Sequence, residues 1–182
     1  MLTLEFDGLF RGAPQDMKLG QKAGFMCYGW VILRDGVEIA RGHGGYARNQ
    51  NASSNVAEYL ALLEGLEALL DLRANREPVM ICGDAKSVIE QMQGRASVSA
   101  ASIKPLHKRA RKLVGQFSSI YWSWTPRRNN HAADALTRRA LRQIRANPAN
   151  YEAALQAMGE PHKHRDSGRL LPLLDLRMYQ AI

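Results

Sequence analysis

The hydrophobic period of this chain switches from two to 3.6 at Ser53, and the order of periods constrains the fold more than any other feature. Residues 2–6 alternate apolar and polar side chains, as a strand with one buried face does, and the alternation stops at Asp7-Gly8. A loop rich in Gly, Pro and Lys is expected over residues 9–22. Residues 24–33 are an apolar run with Phe25, Tyr28, Trp30, Val31 and Ile32. Arg34-Asp35-Gly36 then supplies turn chemistry before residues 37–40 and the stretch 42–45, which predicts a hairpin. Beyond Ser53, residues Val56, Leu60, Leu63 and Leu70 recur at helical spacing up to about Leu72, with Ser53 or Ser54 as N-cap.

Pro78-Val79-Met80-Ile81-Cys82 is a short continuous apolar run, expected of a strand covered on both faces, and it ends at Gly83-Asp84. Helices follow around Ser87 to Met92 and over about residues 101–117; 120–125 is a fifth strand and 132–144 a helix. This order predicts an α/β fold in which a five-stranded mixed sheet, an antiparallel hairpin and then parallel strands, is flanked by helices. After Arg145 the pattern changes. Asn147-Pro148 opens a short helix through Met158, which Gly159-Glu160-Pro161 stops. Residues 162–182 are polar and then apolar without a clear period, so the expected division is a domain over 1–145 and a C-terminal extension over 146–182.

A chain of 182 residues, 46% hydrophobic and 23% charged, buries an adequate core as one domain and is neither a disordered tail nor a fibrous repeat. Its net charge of +8 is unevenly held: residues 1–90 carry 9 basic and 12 acidic side chains, residues 91–182 carry 16 and 5. An anionic partner is implied, with nucleic acid the first suspect. Cys27 and Cys82 are too few for a disulfide framework and not spaced as a zinc site; both read as buried free thiols. No basic stretch leads an apolar one at the N-terminus, and no segment approaches eighteen uninterrupted apolar residues. The expectation is a reducing, cytoplasmic location and no membrane contact.

Four acids stand at pointed places: Asp7 and Asp84 at the ends of the first and fourth strands, Glu58 and Asp134 in the first turns of two helices. If those strands are parallel neighbours, a right-handed crossover sets Asp7 beside Asp84 at their carboxyl ends, where open α/β sheets bind ligands. Crowded carboxylates repel, so one takes up a proton or the cluster binds cations. Hard oxygen ligands without His or Cys suit Mg²⁺, and two such ions can serve phosphodiester hydrolysis. Each acid also has a plainer reading. Asp84 before a helix suits an N-cap, Glu58 and Asp134 suit the helix dipole, and Asp7-Gly8 suits a turn.

Leu4-Glu5-Phe6-Asp7-Gly8, Ser53-Ser54-Asn55-Val56-Ala57-Glu58-Tyr59-Leu60-Ala61-Leu62, Ile81-Cys82-Gly83-Asp84-Ala85-Lys86-Ser87-Val88 and Pro126-Arg127-Arg128-Asn129-Asn130-His131-Ala132-Ala133-Asp134-Ala135-Leu136 are similar, in this order, to the four signature blocks of the type 1 ribonuclease H family. The resemblance covers about residues 1–145. It implies a ribonuclease H-like fold and an endonuclease that hydrolyses the RNA strand of an RNA/DNA hybrid, using a D-E-D-D carboxylate set and two Mg²⁺ ions, with Mn²⁺ as a substitute. On that carry-over Asp7 and Asp84 bind metal at the centre, Asp134 holds the ion that activates water, and Glu58 binds the second ion while sensing the ribose 2′-hydroxyl. Ser53, Ser54 and Asn55 fall where the family contacts the hybrid across its minor groove, and Asn130 is counted with these substrate contacts.

The sequence departs from the well-known bacterial members, which carry a loop His before the last Asp. Here the loop reads Trp124-Thr125-Pro126-Arg127-Arg128, similar to the branch in which Arg opens the block, and Arg127 takes the assisting role at the scissile phosphate, with His131 as a rival. The long basic protrusion of some members is absent. A basic helix from Lys104 to Lys112 either replaces part of its grip or is a solvated face, and the same two readings apply to Arg138, Arg139, Arg142 and Arg145. Trp30, Trp122 and Trp124 read as core, and His162 and His164 as a solvated loop. The rival functions are a DNA-acting nuclease of the same fold and a non-catalytic hybrid-binding module. With the first strand starting at Leu2, no N-terminal hybrid-binding domain and no obligate protein partner are expected. The leucine-rich tail is expected to pack back or to mediate self-association, because exposed leucines at that density are a liability.

Overall fold

The computed structural model describes residues 1–14, 22–159 and 170–180. Strand β1 (Leu2–Gly12) pairs antiparallel with β2 (Gly24–Arg34), which pairs antiparallel with β3 (Val37–Arg48) across the Asp35-Gly36 turn. Helix α1 (Ser54–Asp71) crosses back to β4 (Pro78–Gly83), which lies parallel to β1. Helices α2 (Lys86–Met92) and α3 (Lys104–Val114) lead to β5 (Ser119–Trp124), parallel to β4, and α4 (His131–Ala146) returns over β1, β2 and β3. Helix α5 (Pro148–Gly159) and strand β6 (Leu171–Tyr179) complete the described chain.

The sheet has six strands in the order β5-β4-β1-β2-β3-β6, so the expected count of five is corrected by β6, which pairs antiparallel with β3. A bulge explains why the tail shows no period. Tyr46 faces Pro172 and Gly45 faces Leu174, leaving Leu173 without a partner residue, so the face carrying leucines changes from odd to even positions within one strand. Leu171, Leu173 and Leu174 all pack against the apolar cluster under α4 and α5, built around Phe25, Cys27, Leu141, Ile144 and Met158.

The opposite face of the sheet holds the larger core, where Leu4, Phe6, Tyr28 and Trp30 meet Leu60, Leu62, Leu63 and Leu66. Helix α1 is apolar almost all round and buried almost all round, as a helix packed between a sheet and other helices must be. Ser53 is its N-cap, accepting a hydrogen bond from the Val56 amide at 3.2 Å. Cys27 is buried as expected, whereas Cys82 is only half-buried. Among the described residues no helix is long and apolar enough to cross a membrane.

One difference from the sequence reading positions the functional site. Strand β1 does not end at Asp7; it continues to Gly12 along β2, although its pairing with β4 stops at Phe6 opposite Gly83. The expected loop from residue 9 is correspondingly shorter, and residues 15–21 of it lie outside the described residues. Asp7 is thus paired with β2 on one side, while on the other β4 has ended and no strand lies against it.

Candidate active site

Two glycines let helices approach Asp7. A Cβ on Gly8 would lie 2.3 Å from the backbone of Ala57 and Glu58, so only glycine allows α1 to sit this close to β1. The Gly8 amide then donates to Glu58 Oε2 at 3.1 Å. On the other side Asp7 faces Gly29 in β2, and a Cβ on Gly29 would meet the Ala133 carbonyl oxygen at 2.5 Å. There α4 lies against the sheet, and Thr137 Oγ1 donates to Asp7 Oδ2 at 3.0 Å.

Asp7, Glu58 and Asp84 come together: one carboxylate oxygen of each lies within 4.8 Å of the others. Burial pushes the Asp7 carboxyl up to about 7, and the nearby Asp84 adds to the rise while the Thr137 hydrogen bond opposes it. Glu58 is raised well above its ordinary value, by burial first and then by Asp7 and Asp84, against the Gly8 amide. Asp84 follows β4 but does not cap α2, since no side chain caps that helix. Its Oδ1 is buried and has no hydrogen-bond partner. A buried carboxylate oxygen without a partner, on a residue gathered with two further acids, is an energetic deficit that a divalent cation removes. The all-oxygen donor set fits a hard ion such as Mg²⁺.

Asp134 stands apart from this trio. Arg127 Nη2 donates to its Oδ1 at 2.8 Å, and Arg138 donates from Nη2 to the same oxygen at 3.4 Å while its Nε stands in ion-pair contact with Oδ2 at 2.8 Å. Burial works to raise its pKa, but the two guanidinium groups outweigh that and hold it below the ordinary range. Arg127 and Arg138 are both well exposed, with side-chain accessibilities of 63% and 60%. His131, the rival to Arg127, is exposed at the first position of α4.

Asn130, expected at the substrate, is 1% exposed, and its amide nitrogen donates to the Phe6 carbonyl oxygen at 2.8 Å. In the structure it is a clamp that ties the start of α4 to β1 next to Asp7. Of the other expected contacts, Ser53 caps α1, Ser54 is exposed, and Asn55 Oδ1 accepts from Ser87 Oγ at 3.0 Å, joining the starts of α1 and α2. Trp30 is fully buried and Trp122 packs on the same core, but Trp124 is 49% exposed, which corrects its reading as core. Its indole N–H donates to the Asp84 carbonyl oxygen at 3.0 Å. His162 and His164 lie outside the described residues.

Sequence reading missed Thr137, and it named Arg138 only as a phosphate-gripping or solvated arginine, without its pairing to Asp134. The signal was present in helical spacing, since positions three and four after Asp134 share its face of α4. On α3, Leu106 and Ala110 face inward, while Arg109 pairs with Glu67 of α1 and Arg111 donates to the Met92 carbonyl oxygen at 3.1 Å. Part of that basic helix therefore serves the scaffold.

Residues 21–140 match the family model described as reverse transcriptase-like. The chain is 32% identical over 140 residues to the bifunctional protein Rv2228c of Mycobacterium tuberculosis, a match covering 77% of this chain and 35% of that protein. It is 34% identical over 137 residues to ribonuclease HI of Halobacterium salinarum, covering 75% of this chain and 62% of that one. The chain thus spans about a third of the first relative's length. The crystal structure of RNase H1 from the same archaeon superposes with a TM-score of 0.65 at 31% identity, covering 78% of this chain and 98% of that one. With a family model matched over most of the chain and a solved ribonuclease H matched over nearly all of its own length, the chain belongs to the ribonuclease H family as a reverse transcriptase-like member.

Proposed function

We propose that this protein is a type 1 ribonuclease H: an endonuclease that hydrolyses the RNA strand of RNA/DNA hybrids with divalent metal ions. The observation that carries the reading is the cluster of Asp7, Glu58 and Asp84 with its unpartnered buried oxygen, at the carboxyl end of the parallel strands. Its names among the relatives, ribonuclease HI and RNase H1, support the same activity.

In this reading Asp7, Glu58 and Asp84 hold the metal, with Asp134 as the fourth acid of a D-E-D-D set serving two Mg²⁺ ions. When bound, such ions polarise the scissile phosphate and lower the pKa of water. The chain's own residues do the rest. Thr137 and Asn130 keep Asp7 and α4 in register, and the Gly8 amide orients Glu58. Arg127, exposed and already on a carboxylate, exchanges Asp134 for a phosphate oxygen, a contact that suits its planar guanidinium. Ser54 and Asn55 at the mouth of α1 meet the hybrid's minor groove, where 2′-hydroxyls distinguish RNA from DNA. The catalytic unit is assigned to residues 1–145, with 146–182 as an extension and no obligate protein partner.

The test is cleavage of a hybrid, double-stranded RNA and duplex DNA side by side, with Mg²⁺ and with chelator. Metal-dependent cutting confined to the RNA strand of the hybrid is expected. Cutting of duplex DNA at the same rate would move the protein to the DNA-acting nucleases, and binding without turnover would make it a hybrid-binding module.

A further inference from the structure

A groove of about 380 Å³ opens between β1 and α4, lined by Leu9, Arg11, Arg127, Arg138, Leu141 and Arg142. Leu141, only 7% exposed, and Leu9 belong to the apolar layer beneath it, so the groove has an apolar floor and a rim of four guanidinium groups. Two of the four, Arg127 and Arg138, are the partners of Asp134. The groove therefore begins beside Asp134 and runs away from it along α4. Arg142 is one turn beyond Arg138, and Arg11 is two strand positions beyond Leu9, on the same face as Asp7.

Among the described residues the charge in this groove is only partly balanced. Arg11 and Arg142 are exposed, and among the described residues neither has a carboxylate within ion-pair distance. Among the described residues the one carboxylate paired with these arginines is Asp134, which meets Arg127 and Arg138. The neighbouring groove along α4, which shares Arg142 with this one, differs in that Arg41 is paired there with Glu38 at 3.6 Å, beside Arg139. Like charges gathered in a concave surface favour a polyanion, and a guanidinium fork matches a phosphate with two parallel hydrogen bonds.

We infer that this groove is a phosphate track, which holds the backbone of the cleaved strand as it leaves the carboxylates on the α4 side, with Arg11 and Arg142 as its outer contacts. The cleaved strand is the occupant because the groove is continuous with Arg127 and Arg138, which hold Asp134, the fourth acid of the proposed set. The inference rests on the ribonuclease H reading above and adds the path of the strand to it.

The experiment is equilibrium binding of labelled hybrids by fluorescence anisotropy in chelator, so that turnover plays no part. One hybrid has an RNA strand that runs on past the duplex, one has a DNA overhang, and one is blunt and short. The double variant Arg11→Ala/Arg142→Ala is expected to flatten the dependence of log affinity on log salt by about two, roughly one for each lost phosphate contact. The flattening should appear with the RNA overhang and be absent with the short blunt hybrid. Arg142→Lys should keep most of the slope, which separates charge from any change of fold, and thermal melting checks the fold directly. An unchanged slope, or a loss seen with the DNA overhang instead, would overturn the track. Failure of the underlying reading looks different: the wild type binds the hybrid but does not cut it when Mg²⁺ is restored.

Discussion

Helix α1 carries two clusters of acids, and the molecule treats them in opposite ways. Near its start, Glu58 meets Asp7 and Asp84; among the described residues no basic side chain forms an ion pair with any of the three, and one buried oxygen goes unpartnered. Further along, Glu64, Glu67 and Asp71 meet Arg177 of β6, at 2.8, 3.7 and 3.0 Å, together with Asp175 at 3.4 Å. Three tyrosines complete the second cluster: Tyr46 donates to Glu64, Tyr28 to Asp175 and Tyr179 to Asp71. The second set is closed by the chain itself and ties the C-terminal strand to the core. The first is left open, which is the physical mark of a place where a charge from outside belongs.

The largest expected effect comes from breaking the open cluster. Asp84→Asn should lower hybrid cleavage by about 10³-fold or more, as removal of a catalytic group does, while thermal stability in chelator rises because one of three crowded charges is gone. A wild-type rate in this variant would remove the site.

The open cluster also predicts the pH dependence of the metal-free protein. Asp7 is raised from its ordinary value to about 7, so between pH 4 and 7 the folded state holds a proton that the unfolded state has lost. Stability must therefore fall as pH rises through that window, by at most about 1.4 kcal/mol per unit from this group. Denaturant titrations in chelator should show the slope, and Mg²⁺ should flatten it by binding the ionised form. A flat profile in chelator would show the acids are not crowded.

Breaking the closed cluster should cost stability and leave the chemistry alone. Arg177→Met strands Glu64, whose side chain is only 6% exposed, and should destabilise by about 2 kcal/mol. The effect is below that of a fully buried pair because Arg177 keeps 23% of its side chain in water. Truncation after Arg145 removes β6 altogether and should lower the melting temperature further; unchanged melting would mean the tail contributes nothing to the fold. Smallest is Ser53→Ala, which removes the cap of the helix that carries both clusters and should cost about 1 kcal/mol in a denaturant titration.

Much of the architecture could be read from local pattern. The alternation of residues 2–6, the apolar run of β4 and the 3.6 period of α1 each report a burial environment that neighbours along the chain already specify. Strand β6 could not be read this way, because its bulge at Leu173 changes the buried face partway, and the reason for that face lies in β3, α4 and α5. Nor could the extent of β1 past Asp7 be read, since Gly8 to Gly12 is held by β2 and not by its own alternation. At the site, Asp7, Glu58 and Asp84 were singled out as types and places, and a family resemblance joined them. Asn130, expected at the substrate, instead donates its amide to Phe6, a residue 124 positions away, which no local pattern could show.

What the sequence determined by itself is the set of elements apart from β6, and the identity of the acids, because helical and strand periods and residue chemistry are local properties. Tertiary structure decided which acids stay open and which are closed. Glu58 and Glu64 are both buried glutamates on one helix, and no local feature separates them. They differ because β1 and β4 bring two more carboxylates to one, and β6 brings an arginine to the other. Burial makes either outcome energetically large, so the neighbour supplied by the fold, and not the residue itself, sets its role.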